Sequence, residues 1–157
     1  KQIVLALPAG LRAGAHGLQI TQKMLLGTPP VPHRGFESNV ATFVLRPRIT
    51  LPIVKTTVAD PQGGPPLPAL QAAVDVTIGK DQRVVLLLNS TAAGGAAHSF
   101  LTPQRTADAT SVTIAIPGTA AGQYFVRLQI DGAESPLDLR RAERVPAAAE
   151  PVRITVW

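Results

Sequence analysis

The amino-acid sequence predicts an all-β fold, and three observations favour this fold class. Fifteen prolines and thirteen glycines divide the 157 residues into many short runs. These runs are rich in valine, isoleucine, leucine and threonine, and several alternate apolar and polar residues with the period of two that β-strands have. Apolar residues make up 45% of the chain and charged residues only 16%. That balance is typical of a packed core, in one ordinary domain or two small ones.

Four predicted strands lie in the first part of the chain. The run Ile3–Leu7 is apolar and ends at Pro8. The run His16–Leu26 mixes polar and apolar residues and ends at a glycine. Asn39–Arg46 and Ile49–Val58 carry the valines, isoleucines and threonines that favour strands.

Further strands follow, bounded by glycines, prolines or polar turns. They are Ala73–Ile78, Arg83–Asn89, Ser99–Thr102, Ser111–Ile116, Gln123–Ile130 and Val152–Trp157. Two short segments, Pro68–Ala73 and Asp138–Arg144, contain helix-favouring residues and are at most single helical turns, because a strand or a proline closes each of them. The strands in total are more than one ordinary β-sandwich contains.

A weak internal repeat organises these strands. Ile3–Pro8 and the following Gly14–Ile20 resemble Val112–Pro117 and the following Gly122–Leu128. In both copies an apolar run ends at a proline and a longer strand starts at a glycine, as in the last three strands of an immunoglobulin-like β-sandwich. A chance match between two β-rich stretches stays open, because such alternation is common in sandwiches.

The repeat predicts two unequal domains. Residues 50–157 contain the strands that should precede the second copy, so we expect one complete immunoglobulin-like sandwich there. Residues 1–49 lack them and are interpreted as the C-terminal strands of a first sandwich, whose upstream part is absent. The chain also opens on Lys1 without a methionine, so we expect a piece of a longer protein. The strands within residues 1–49 form an open sheet with one bare apolar face, so we expect them to need a partner, either the upstream half of the sandwich or another subunit.

The segment Val112–Ile130 is predicted to form two antiparallel neighbours joined by the turn Pro117–Gly122. Its second strand, Gln123–Ile130, shows the clearest alternation. Tyr124, Val126 and Leu128 form an apolar row that should face the core. Tyr124 lies near the start of this strand, where a tyrosine corner would bond its hydroxyl back to the preceding turn. His16 occupies the matching place in the first copy, and we expect a hydrogen-bonded structural role for it rather than a role as a ligand.

Residue chemistry argues against an enzyme. The chain has no cysteine, which excludes a disulfide, a thiolate zinc site, an iron–sulfur cluster and a cysteine nucleophile. Ser99, His98 and Asp108 make a triad on paper, but the serine lacks a nucleophile elbow. Asp131 and Glu134 flank a predicted turn, where solvated carboxylates are ordinary. The sequence therefore predicts no catalytic residue, no cofactor, no metal and no small-molecule substrate.

Charge and hydropathy narrow the class of partner. Residues 1–55 hold seven basic residues and one acidic residue, whereas residues 56–157 hold eight basic and nine acidic residues. This basic region could face nucleic acid or an acidic protein surface, but no basic run occurs and aromatic residues are only 4%. We therefore interpret these bases as outward-facing strand residues and expect no nucleic acid partner. No apolar run is long enough for a membrane span or a signal-peptide core, so no membrane contact is predicted.

The most distinctive local feature is a predicted nine-residue loop, Gly27–Gly35. Its three prolines favour a stiff polyproline II geometry. Such a loop either bridges two strands or presents side chains to a protein partner. The candidate interface residues are Pro29, Pro30, Pro32, His33 and Arg34.

Three segments, Leu7–Gly14, Gly27–Gly35 and Glu37–Ile49, resemble the C-terminal part of a bacterial protein family. Its members are the cap or tail-terminator component of phage-tail-like contractile injection systems. The resemblance is strongest over residues 5–49 and only architectural afterwards. In that family an N-terminal α/β region forms the ring that stops tube and sheath growth, and this sequence does not include that region.

The resemblance implies a structural or adaptor module of a particle, with protein subunits as partners, possible homo-oligomers among them. It implies a cytoplasmic assembly or a released particle, and it supplies no catalytic residues. An alternative stays open, in which the chain is an immunoglobulin-like adhesion or carbohydrate-contact module of a secreted or surface protein. Carbohydrate contact usually uses exposed aromatic side chains, and Phe125 and Trp157 are among the few candidates.

Overall fold

A computed structural model describes residues 4–137 and 153–156, and these residues form an all-β chain without a helix. Twelve strands lie within these two ranges. They are β1 (Gly14–Leu18), β2 (Thr21–Leu26), β3 (Val31–Glu37), β4 (Ala41–Leu45), β5 (Ile49–Val58), β6 (Leu67–Ile78), β7 (Val84–Ser90), β8 (Ala97–Leu101), β9 (Ala109–Ala115), β10 (Gly122–Ile130), β11 (Ala133–Glu134) and β12 (Arg153–Val156).

The larger part of the molecule consists of two antiparallel sheets. One has the strand order β5-β6-β9, and the other has the order β11-β10-β7-β8. The last strand, β12, also pairs with β10, alongside residues 122–125, whereas β11 pairs with residues 129–130. The closing edge of the second sheet is therefore built from two separate strands. We call these two sheets the body.

The core of the body is formed by the apolar rows of both sheets. Leu70 and Ile114 from the first sheet and Leu86 and Leu128 from the second are all 0% exposed, and they belong to one buried cluster. Alternation along each strand places these residues on one face, so the two faces bury each other in a β-sandwich. Burial of each such side chain contributes about 1.5–3 kcal/mol.

Tyr124 and His16 make the same kind of hydrogen bond. The Tyr124 hydroxyl donates to the carbonyl oxygen of Ala120 at 3.0 Å, and its ring is 4% exposed. His16 Nε2 donates to the carbonyl oxygen of Arg12 at 2.7 Å. Each bond reaches back four residues, which confirms the structural role predicted for both side chains. The predicted core positions of Tyr124 and its row are confirmed as well.

Most strand predictions are confirmed within a few residues, but the first part of the chain differs. Residues 4–7 are not a strand, although one was predicted over Ile3–Leu7. The predicted strand His16–Leu26 is broken after Leu18 and continues as β2. The prediction of a loop over Gly27–Gly35 is correct for residues 27–30, which form a turn, but wrong for residues 31–35, which belong to β3. Pairing with β2 satisfies the backbone there, and Pro32 is tolerated because β3 is an edge strand.

Two further predictions are corrected in the body. Pro68–Ala73 is strand rather than a helical turn, because it pairs with β5 on one side and β9 on the other. The strands β9 and β10 were expected to be neighbours, but β9 pairs with β6 and β10 with β7. The connection at 117–121 therefore crosses from one sheet to the other. Asp138–Arg144 and the residues Val152 and Trp157 lie outside the described residues.

Removal of the Tyr124 side chain should destabilise the sandwich. We expect Tyr124→Phe to cost about 1 kcal/mol through the lost hydrogen bond, and Tyr124→Ala on the order of 3 kcal/mol because it empties a buried site. Urea unfolding gives both free energies. Phe36→Ala is the control, since Phe36 is 71% exposed. Equal effects of Phe36→Ala and Tyr124→Ala would contradict the prediction.

Candidate protein interface

Residues 14–45 form one long two-stranded hairpin, which we call the ribbon. β1 pairs antiparallel with β4, and β2 pairs antiparallel with β3. Between these ladders, the Ser38 amide donates to the Ile20 carbonyl oxygen at 2.9 Å, and the Ile20 amide donates to Ser38 Oγ at 3.0 Å. Hydrogen bonding thus continues through the joint. We call residues 21–37, from β2 to β3, the outer ribbon.

The tip of the ribbon is a tight turn at residues 27–30. Gly27 has a φ of 91°, a left-handed conformation that glycine adopts without a Cβ clash. Pro29 and Pro30 follow, and their rings restrict φ. β3 begins directly after them at Val31. The chain at the tip therefore has few alternative conformations.

The first strand of the ribbon is tied to the body at its base. Ala13 is 2% exposed and is part of the core cluster. Its carbonyl oxygen accepts a hydrogen bond from Gln82 Nε2 at 2.7 Å. Next to it, the Arg12 guanidinium donates to Asp108 Oδ2 at 2.7 Å. A buried side chain, a backbone hydrogen bond and an ion pair therefore hold this end in place.

The second strand of the ribbon is tied to the body in a similar way. Arg46 Nε donates to the carbonyl oxygen of Glu134 at 2.7 Å. Pro47 is fully buried. The Arg48 amide donates to Asp75 Oδ1 at 2.8 Å, and the Asp75 amide donates to the Arg48 carbonyl oxygen at 3.1 Å. Because both strands are anchored, the direction in which the ribbon leaves the body is restricted.

The outer ribbon, in contrast, exposes its side chains. Every residue of β2 is exposed, and so is every residue of β3 except Gly35. Leu25 is 67% exposed, Val31 51% and Phe36 71%. Clusters of exposed apolar side chains are uncommon on isolated soluble proteins and mark interaction surfaces. A two-stranded sheet with two bare faces is also marginally stable by itself.

Strand alternation divides the outer ribbon into two faces. One face carries the cross-strand pairs Lys23–Arg34 and Leu25–Pro32, and the other carries Met24–His33 and Leu26–Val31. The first face is cationic and apolar, whereas the second is mainly apolar. Two cations directly opposite each other destabilise a strand pair.

Only one of these two cations is neutralised. Arg34 forms an ion pair with Glu37 of the same strand. The Lys23 ammonium group makes no hydrogen bond or ion pair with any part of the chain that the structure describes. The charge of Lys23 is therefore left to the solvent in the isolated chain.

The five predicted interface residues all lie on the outer ribbon, and all are exposed. The two prolines Pro29 and Pro30 are in the turn, whereas Pro32, His33 and Arg34 belong to β3. Whether they contact a protein stays a prediction. The sequence did not single out Lys23 or the exposed apolar residues of β2, because the apolar residues 24–26 before Gly27 resemble the end of a half-buried strand. The polar residues Thr21, Gln22 and Lys23 in the same strand are the local signal against burial.

The residues Ser99, His98 and Asp108, considered above as a catalytic triad, do not form one in the structure. His98 and Ser99 are neighbours on β8, so their side chains point to opposite faces of the strand. The His98 ring packs against Phe100 and Tyr124, with centroids 5.9 and 6.0 Å apart. Asp108 is paired with an arginine at the base of the ribbon. These three side chains thus serve separate parts of the fold.

The two carboxylates predicted to flank a turn also have partners. Asp131 accepts hydrogen bonds from Gln82 Nε2 at 3.0 Å and from the Arg83 amide at 2.8 Å. Glu134 pairs with Arg127. Within 4–137 and 153–156, histidines and carboxylates do not gather into a group that could hold a metal ion. The same residues contain no helix of the length and hydropathy that a membrane span requires.

A family profile matches residues 47–156, and its description is a domain of unknown function, DUF8756. The match covers more than half of the chain. The chain therefore belongs to the DUF8756 family. No curated protein and no solved structure matches this chain. The matched residues of the DUF8756 domain contain β5 to β12, so the ribbon lies outside them.

The ribbon should be dispensable for folding of the body. Residues Leu18 and Ala41 are cross-strand partners, so an Asn-Gly turn in place of residues 19–40 closes a short hairpin. We expect a cooperative unfolding transition with a change below about 1 kcal/mol, because the removed side chains are largely exposed. Thermal and urea unfolding measure it. Loss of cooperativity would show that the outer ribbon packs on the body.

The Lys80 amide and the Arg12 guanidinium donate to Asp108, and they lower its pKa below the ordinary value of 3.8. A carboxylate with a lower pKa in the folded chain stabilises the fold at neutral pH, and this contribution is lost as the pH falls through the folded-state pKa. Carboxyl ¹³C NMR should give a midpoint below 3.8 for Asp108. Arg12→Gln should raise it, and an unchanged midpoint would contradict the assigned cause.

Proposed function

We propose that this chain is a non-enzymatic contact module, in which the body presents the ribbon to a neighbouring protein subunit. The observation that supports this proposal most directly is the difference between the anchored base of the ribbon and its exposed outer part. The base is fixed by hydrogen bonds and buried side chains on both strands, whereas Leu25, Val31 and Phe36 of the outer ribbon are mostly exposed. A rigidly mounted apolar surface loses little conformational entropy when it binds, which favours docking.

The body is proposed to be an immunoglobulin-like sandwich. The order β5-β6-β9 in one sheet and β8-β7-β10 followed by the closing strands in the other supports this assignment. The hydrogen bond from Tyr124 to Ala120, at the crossing between the sheets, also supports it, because it has the geometry of a tyrosine corner. Sandwiches of this kind are common scaffolds that carry contact surfaces on loops and hairpins.

The proposed setting is the cap or tail-terminator component of a contractile injection system. The segments that resemble this family, Leu7–Gly14, Gly27–Gly35 and Glu37–Ile49, lie in the ribbon and its anchors. The resemblance therefore concerns the element proposed to dock, while the DUF8756 match concerns the body. In this setting the partner is another protein subunit of the particle, and identical subunits are among the candidates.

The alternative, adhesion or carbohydrate contact, has less support. Sugar rings usually stack on exposed aromatic side chains. Among the residues that the structure describes, Phe36 is the only phenylalanine, tyrosine or tryptophan that is exposed. Phe125, considered from the sequence as a candidate, is half-buried, and Trp157 lies outside the described residues. One aromatic ring next to aliphatic side chains fits a protein contact better.

The proposal predicts that polar substitutions on the outer ribbon block assembly without unfolding the protein. We expect Leu25→Ser with Val31→Ser to reduce incorporation into particles by about tenfold or more, since two exposed apolar anchors are lost. The amount of the protein in purified particles, measured by immunoblot, gives the result. Circular dichroism and thermal unfolding should be unchanged.

The matched control is Leu51→Ser with Val54→Ser on β5, because these side chains are also 63% and 47% exposed but lie on the body. This control should incorporate normally. Normal incorporation of the ribbon variant would contradict the proposal. Binding of glycans that is lost on Phe36→Ala would favour the alternative function.

A further inference from the structure

The two outer edges of the outer ribbon differ in their capacity to pair with another strand. β3 contains Pro32, which has no amide hydrogen to donate, and the pairing register shifts by one residue between Thr21 and Lys23 because of a bulge in β3. Prolines and bulges are the usual devices that protect an edge from association. The edge of β3 is thus protected.

The edge of β2 has neither a proline nor a bulge, and its protective feature is the charge of Lys23, which disfavours basic strands but attracts acidic ones. Its six residues, Thr21–Leu26, contain no proline or glycine, and all are exposed. Within the described part of the chain, β2 pairs only with β3, so the other edge has no strand partner. Such an edge presents a regular row of backbone donors and acceptors.

From this asymmetry we infer that the ribbon binds its partner by strand addition, in which an extended acidic segment of another protein pairs with the free edge of β2. The inference rests on the proposed docking function and adds the edge that is used and the chemistry of the partner. In strand addition, main-chain hydrogen bonds supply affinity and alternate side chains supply specificity.

The charges near the edge of β2 indicate that the added strand should be acidic. Lys23 lies on β2 with Arg34 directly across from it on β3. Glu37 is the only acidic residue between 14 and 45, and it pairs with Arg34. A carboxylate on the added strand, opposite Lys23, supplies the missing counter-charge on the open side. Cross-strand pairs of opposite charge stabilise a sheet, whereas like pairs destabilise it.

The remaining side chains of β2 define the rest of the added strand. Met24 and Leu26 lie on the face opposite to Lys23, and Leu25 lies beside Lys23 on the cationic face. An added strand therefore needs apolar residues on one face and a carboxylate on the other. This alternation is the binary pattern of a half-buried strand.

A second copy of this chain fits the edge less well. The two symmetric antiparallel registers nearest the centre of β2, about Lys23 or about Met24, place the two Lys23 side chains on the same face, either directly opposite each other or diagonally adjacent. Repulsion between them disfavours this arrangement. The ribbon alone has no acidic residue besides Glu37 that could compensate. An acidic segment of a different protein region is the better occupant.

The test is an NMR titration of the ¹⁵N-labelled full chain with two synthetic peptides. One is acetyl-Val-Thr-Val-Glu-Val-Thr-amide, and the other has lysine in place of glutamate. In antiparallel pairing, the glutamate lies opposite Lys23 and the valines lie opposite the apolar face of β2. We expect the acidic peptide to shift the amide resonances of Thr21–Leu26 and to protect them from hydrogen exchange, with weaker binding of the lysine peptide.

Substitutions of Lys23 make the test specific. Lys23→Gln should weaken binding of the acidic peptide roughly two- to fivefold, the range of an exposed ion pair. Lys23→Glu should reverse the preference in favour of the lysine peptide. Lys80→Gln, which removes an exposed lysine of the body, is the matched control and should change nothing.

Shifts confined to β3, equal binding of both peptides, or no shift at millimolar peptide would overturn the inference. Concentration-dependent dimerisation through β2, seen by analytical ultracentrifugation and abolished by Lys23→Pro, would overturn it in favour of a second copy. These outcomes are separable from the proposed function. If Leu25→Ser with Val31→Ser blocks incorporation while Lys23→Glu does not, docking stands and strand addition fails.

Discussion

Burial of the apolar rows of the two sheets against each other is the constraint on which the rest of this structure depends. Each row comes from strict alternation, as in β10, where Tyr124, Val126 and Leu128 are buried and their neighbours are not fully so. The chain crosses between the two sheets after β6, after β8 and after β9, and the last crossing brings β10 into the second sheet. That crossing is where the Tyr124 hydroxyl bonds to Ala120, so packing and hydrogen bonding meet at one place.

The ribbon depends on this core through its base. Ala13 joins the core cluster, and Arg46 reaches the backbone beside β11. A two-stranded hairpin without such support has little stability in water. With it, both ladders of the ribbon form while the apolar side chains of β2 and β3 stay exposed. The resulting arrangement separates two tasks, because the body supplies stability and the outer ribbon supplies an accessible apolar and cationic surface.

Local patterns predicted the strands of the body well and the ribbon less well. Ile49–Val58 was predicted with the bounds that β5 has, because β-branched residues between turn residues leave little alternative. Pro68–Ala73 looked helical by composition, yet two neighbouring strands make it part of β6. In Gly27–Gly35 the prolines suggested a loop throughout, but pairing with β2 converts its second half into β3. In both errors, hydrogen bonds to distant segments outweighed local preference.

The sequence by itself determined that this protein is all-β, that the Tyr124 hydroxyl bonds back to the preceding turn, that His16 has a hydrogen-bonded structural role, and that a proline-rich segment precedes the larger sheets. These features follow from alternation, turn residues and spacing, which act over a few residues. Only the tertiary structure decided which strands pair, that β9 and β10 belong to different sheets, and that the apolar run of β2 is exposed. Pairing and exposure depend on contacts between residues far apart in the chain, and an apolar strand has the same local pattern whether or not another sheet covers it.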